Sequence, residues 1–167
     1  MGRKRLSDND KIGLMNCMEA IIMDIPLKVK SLIKKHKTNN PIKLAEALGI
    51  HVLFEPLKKI KGYYISLQRN KFIVINSNLD YMEQLVVCAH ELGHAILHPK
   101  VNCCFLKRFT LQCTEKIEIE ANKFCAYLLI TDEMIKDYEG LTYSQISQAT
   151  YIPMKIVELR QAQKKMF

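Results

Sequence analysis

From Ile12 to Lys37 apolar residues recur at three- and four-residue spacing, through Leu14, Met18, Ile21, Ile22 and Ile25 and then, past Pro26, through Val29, Leu32 and Ile33. That period lines up one face of a helix, and Pro26 predicts a break between two of them. Asn40 followed by Pro41 has the form of an N-cap and first helical residue, and Gly49 after Leu48 has the form of a stop. A short third helix is expected between them. The pattern then changes to three short β-branched and aromatic runs, His51 to Pro56, Gly62 to Leu67 and Lys71 to Asn76, each bounded by turn residues. These predict strands, the last two joined as a hairpin through Gln68 to Asn70. After Asn76-Ser77-Asn78 helical spacing returns at Leu85, Val86, Ala89, Leu92, Gly93, Ile96 and Leu97, with Pro99 beyond the end. A further helix is expected from Glu115 to Ile130, then two short ones over 142–149 and 153–163. The fold class this predicts is α+β, a small antiparallel sheet packed against the central helix and the Glu115–Ile130 helix, with helical extensions at both ends.

The central helix contains His90-Glu91-Leu92-Gly93-His94, an H-E-x-x-H. Successive helical residues turn by about 100°, so His90 and His94 share a face one turn apart and can offer both imidazoles to one ion. Glu91 then stands beside the ion without binding it. This is the arrangement of a hydrolytic zinc site, in which the metal acidifies a water and the neighbouring carboxylate takes its proton. A third protein ligand has to come from elsewhere. Leu97 and Lys100 stand where a metzincin would have Gly and His, which excludes that class. His98, two turns beyond His90, has drifted about 80° around the helix and is poorly placed for the same ion; near a helix end it favours the helix dipole. In the Glu115–Ile130 helix, Glu120 lies next to the apolar stripe of Ala121, Phe124, Ala126, Leu128 and Leu129. A carboxylate there is costly unless paired or bound to metal, whereas Glu115 and Glu118 can face solvent. Pattern alone also allows Glu120 to be a surface residue at the stripe edge.

The run His90-Glu-Leu-Gly-His-Ala-Ile-Leu-His-Pro, followed by Glu118-Ile-Glu-Ala-Asn-Lys-Phe-Cys-Ala, resembles the ImmA/IrrE metallopeptidase family, in which a helical H-E-x-x-H precedes an E-A-N-x-F-A helix. The resemblance covers roughly residues 40–132. It implies gluzincin-like zinc ligation by His90, His94 and Glu120, with Glu91 as general base. Cys125 stands where the family usually has Ala, a small residue for a small one. The resemblance is to the ImmA branch, and it implies an endopeptidase that cleaves a helix-turn-helix repressor of a prophage or mobile element and so derepresses transcription. On this reading residues 1–40 form a basic arm and helices, 41–132 the zinc metallopeptidase core, and 133–167 a C-terminal helical, helix-turn-helix-like subdomain.

The remaining features adjust this picture without replacing it. The strand hairpin could take an extended peptide by strand addition, or simply back the zinc-ligand helix. Tyr63, Tyr64 and His51 are open as donors to a developing oxyanion, although strand aromatics usually pack. The stretch Gln145 to Arg160 has the outline of a helix-turn-helix, with Tyr151 where a turn glycine is favoured. Lys155, Arg160, Lys164 and Lys165 give that end charge. This supports a second reading, a zinc-binding, non-proteolytic regulator that touches DNA through its C-terminal helices; a helical hairpin packed on the core fits better. A net charge of +8 in 167 residues agrees with steering of an acidic partner and names no function by itself. With 49% hydrophobic residues the chain can bury a core. The apolar run Ile12 to Val29 is broken by Glu19, Asp24 and Lys28, so it is read as neither a signal peptide nor a membrane span, and the protein as cytoplasmic. Six cysteines are then expected to be reduced core thiols; Cys103, Cys104 and Cys113 lack a C-x-x-C pair and make only a weak second metal motif.

Overall fold

The computed structural model describes residues 24–99 and 111–161. The N-terminal arm, the helix expected from Ile12, the cysteines Cys17, Cys103 and Cys104, the side chain of Cys113, and Lys164 and Lys165 lie outside the described residues. Helix α1 (Ile25–His36) starts where Asp24 accepts from the Leu27 amide at 3.0 Å, and Pro26 sits in its first turn. Proline belongs there, because a first-turn amide has no helical partner to lose. Helix α2 (Pro41–Ala47) follows, its Asn40 cap accepting from the amides of Ile42 and Lys43 at 3.0 and 3.1 Å.

Strands β1 (Ile50–Glu55), β2 (Gly62–Leu67) and β3 (Asn70–Asn76) form one sheet in the order β1-β3-β2. The hairpin β2–β3 is antiparallel and turns at Gln68 and Arg69, both with positive φ (45° and 72°), the backbone of a two-residue hairpin turn. Strand β1 pairs parallel with β3, so the sheet is mixed and not wholly antiparallel as expected. The α+β class stands. The buried Asn76 at the end of β3 ties down the chain before β2, accepting from the Leu57 amide at 3.2 Å and donating to the carbonyls of Leu57 and Ile60 at 2.8 and 3.2 Å.

Helix α3 (Tyr81–Leu97), capped by Asp80, crosses helix α4 (Leu111–Leu129). The crossing is close because Gly93 has no side chain: a Cβ there would come within 3.1 Å of the Ala121 backbone and of Phe124. With Leu92, Phe124 and Leu128 fully buried, the contact fixes the two helices by side-chain packing, and trimming Phe124 to Ala would cost about 3–5 kcal/mol. Beyond α4 comes a helix the sequence pattern missed, α5 (Asp132–Asp137), followed by α6 (Tyr143–Thr150) with a Thr142/Gln145 capping box and α7 (Met154–Gln161). Tyr151 takes the left-handed conformation, φ 58°, at the α6–α7 turn. That strain, on the order of 1–2 kcal/mol for a side-chain-bearing residue, is offset by Ser147 donating to the Ile152 carbonyl at 2.7 Å and the Ile152 amide donating to Thr150 at 3.3 Å.

Arg160 does not extend toward solvent as a DNA-reading residue would. It is 8% exposed, donates through Nε to the Ile130 carbonyl at 2.9 Å, pairs with Asp132, and lies 4.3 Å over the Tyr127 ring. Asp132 also meets Lys30 at 2.9 Å, and hydrogen bonds from Lys30 and Arg160 hold its carboxyl below the usual range. The C-terminal helices are therefore pinned to the end of α4. Ile146, Ile152, Ile156 and Val157 join the same core cluster as Ile25 and Val29. No helix among the described residues is long and apolar enough to cross a membrane.

Candidate metal centre

On α3 the i, i+4 spacing brings the Nε2 atoms of His90 and His94 to 3.0 Å from each other. Glu118, from the adjacent α4, places one carboxylate oxygen 3.2 Å from His90 Nε2 and the other 3.6 Å from His94 Nε2. These three residues are the group among the described residues whose donor atoms converge closely enough to hold an ion. Donors about 2.0–2.1 Å from a tetrahedral zinc lie roughly 3.3 Å from one another. The observed separations bracket that value, and two imidazoles with one carboxylate are a fitting set for zinc.

Glu120, the carboxylate expected in the third position, is instead 2.9 Å from His98 Nε2 and 3.9 Å from Lys116. The physical reason is rotational. Glu118 and Glu120 lie about 160° apart around α4, on opposite borders of the buried stripe. The border carrying Glu118 and Asn122 faces His90 and His94. His98 caps the C-terminus of α3 and is held beside Glu120, with its Nε2 not aligned for a hydrogen bond.

Asn122, one turn beyond Glu118, was not anticipated. Its carboxamide oxygen lies 2.9 Å from His90 Nδ1, a contact that orients the ring with Nε2 toward His94 and Glu118. Burial disfavours a charged His90, yet the hydrogen-bonded Glu118, the charge of Glu91 and Asn122 together raise its pKa above the ordinary imidazole value. The cluster thus favours positive charge at the point where the donors meet.

Glu91 is held from the sheet. Its Oε2 accepts from the Tyr64 amide of β2 at 2.9 Å. Tyr64 therefore acts through its backbone, while its ring is 1% exposed and its hydroxyl reaches the Pro99 carbonyl at 3.5 Å. The close seating of β2 on α3 depends on Gly62, where a Cβ would lie 2.5 Å from Val87 and 2.8 Å from the Val74 carbonyl. His51 is on β1, the far strand from β2, and stacks on Phe72 with ring centroids 5.2 Å apart. Cys88 and Cys125, buried beneath the site, are free thiols whose pKa burial pushes up to about 12, so neither is a nucleophile at neutral pH.

A cavity of about 480 Å³ opens on His90, Glu91 and Asn122. The arrangement can hold a divalent ion, place a carboxylate base beside it and admit a chain from solvent. Residues 45–160 match the family described as Peptidase M78, IrrE N-terminal-like domain. A protein of Bacillus phage phi105 named "Uncharacterized immunity region protein 2" is 42% identical over 139 residues, covering 81% of this chain and 88% of its own length. "Metallopeptidase ImmA" of Bacillus subtilis (strain 168) is 31% identical over 145 residues, covering 81% and 83%.

Proposed function

The chain belongs to the ImmA/IrrE family of metallopeptidases, and from that premise we propose that it is an intracellular zinc endopeptidase of gluzincin type. Its substrate is a protein, a helix-turn-helix repressor of a prophage or mobile element, and its cleavage releases transcription. The observation that supports this reading most is the convergence of His90, His94 and Glu118, with His90 and Glu91 lining one cavity.

His90, His94 and Glu118 would hold the metal, with Asn122 orienting His90. Zinc bound there would supply Lewis acidity, which lowers the pKa of water to roughly 7. Glu91 accepts the proton from the attacking water and returns it to the leaving amine; the Tyr64 amide fixes its orientation. Strand β2 is an outer strand of the sheet, so a peptide laid along it passes Glu91 in extended form. The relatives, one named for a phage immunity region and the other as a metallopeptidase, support a peptidase that works in a phage setting.

The test is incubation of the zinc-loaded protein with candidate helix-turn-helix repressors of prophages and mobile elements, with mass spectrometry of the products. Glu91→Gln keeps size and polarity but cannot take the proton, so cleavage falls by roughly 10²–10⁴-fold with zinc content unchanged. Equal cleavage by wild type and Glu91→Gln would remove the base from this mechanism.

A further inference from the structure

The cavity beside His90 and Glu91 does not end at the catalytic helix. It is also lined by Pro153 just ahead of α7, by Lys155 and Ile156 on α7, by Ile60 and Lys61 ahead of β2, and by Val86 and Val87 on α3. A second cavity of about 300 Å³ shares Lys61, Val86, Val87 and Pro153 and runs on past Ser147 to Tyr151 at the α6–α7 turn. The two cavities are neighbours that share these four residues, the first lined by His90 and Glu91 and the second by the C-terminal hairpin, and together they are taken as one groove.

Much of the lining is aliphatic, and its charged residues are Lys61, Glu83, Glu91 and Lys155. Lys61 is already matched by Glu83 at 2.7 Å. Lys155 is exposed at the rim and has no ion pair among the described residues. An unmatched cation beside an apolar recess selects an acidic and an apolar group close together on one ligand.

Resting on the peptidase reading above, we propose that this groove is the specificity site: it seats the substrate stretch flanking the scissile bond. An apolar side chain lies among Ile60, Val86, Val87 and Ile156, and an acidic side chain of the same stretch pairs with Lys155. The C-terminal hairpin is then a substrate-reading wall. Pinning by Arg160 and the locked α6–α7 turn keep that wall at a fixed distance from Glu91. Continuity of the groove with the site supports a substrate chain as the occupant.

The experiment pans a random peptide display library on zinc-loaded protein carrying Glu91→Gln, and repeats it with Lys155→Glu added. The expected motif is Asp or Glu within a few residues of Leu, Ile, Val or Met, replaced by Lys or Arg in the same place on Lys155→Glu. Selected acidic peptides are then offered to proteins with Glu91 intact. Lys155→Glu alone should raise KM by about five- to tenfold, with kcat and zinc content unchanged, because an exposed ion pair becomes a repulsion of similar size. Val86→Phe, which fills the recess, should shift the apolar position toward Ala or Gly. Recovery of no motif, or of the same acidic motif after Lys155→Glu, overturns the proposal. Charge reversal in the selection without cleavage of any selected peptide upholds the groove and rejects the peptidase reading; cleavage with unchanged preference does the opposite.

Discussion

On one flank of the α3–α4 contact His90 and His94 meet Glu118; on the other His98 meets Glu120. Both clusters use the same residue types, and the shortest imidazole–carboxylate contact in each is near 3 Å. They differ in convergence and support. Three donors meet on the first flank, one imidazole is oriented by Asn122, and the cluster opens on a cavity beside Glu91. The second has two partners, and Lys116 also approaches its carboxylate. A histidine beside a glutamate is thus not enough to make a candidate metal centre; the first flank adds a third donor and an orienting acceptor.

The sharpest way to break this comparison is to remove an imidazole from the first flank. His94→Ala should take metal content from about one zinc per chain to none and abolish cleavage, read by elemental analysis and peptide assay. Glu118→Ala should follow, weakening zinc by roughly a hundredfold or more in a competitive chelator titration. Asn122→Ala leaves every donor in place and should cost about 10–100-fold in affinity. Smallest is Glu120→Ala: zinc affinity within about threefold of wild type, and stability lower by about 1 kcal/mol or less in denaturant unfolding, since the pair with His98 is partly exposed. A larger zinc loss in Glu120→Ala than in Glu118→Ala would reverse the assignment of the two flanks.

The sequence made some of this legible and left the rest ambiguous for definable reasons. His90 and His94 could be placed on one face because helical rotation is regular, and Asn40-Pro41 marked a helix start because both residues act locally. The preference for Glu120 over Glu118 had no such regularity behind it. Both border the apolar stripe, and the stripe says which side of α4 is buried without saying which border the histidines approach. Asn122 carried a signal in its four-residue spacing from Glu118. Helix α5 is six residues long, too short to show a period, although Thr131 with Asp132 and Glu133 has the form of an N-terminus. The parallel pairing of β1 was invisible because alternation along a strand encodes its faces and not the direction of its neighbour. Arg160 counted among surface cations until its contacts with Ile130, Asp132 and Tyr127 placed it inside.

The donors of the first flank come from two stretches of chain. Both imidazoles precede residue 99, and the carboxylate follows residue 111. An ion held by all three therefore acts as a non-covalent cross-link between halves of the polypeptide, and neither half has the full donor set. A protein hydrolysed once between those positions would keep its site only while the halves stay docked. Zinc at a hundredfold excess over its dissociation constant would favour the docked state by about 2.7 kcal/mol. An ion bound for catalysis would then also hold the protein's own chain together, were it nicked there.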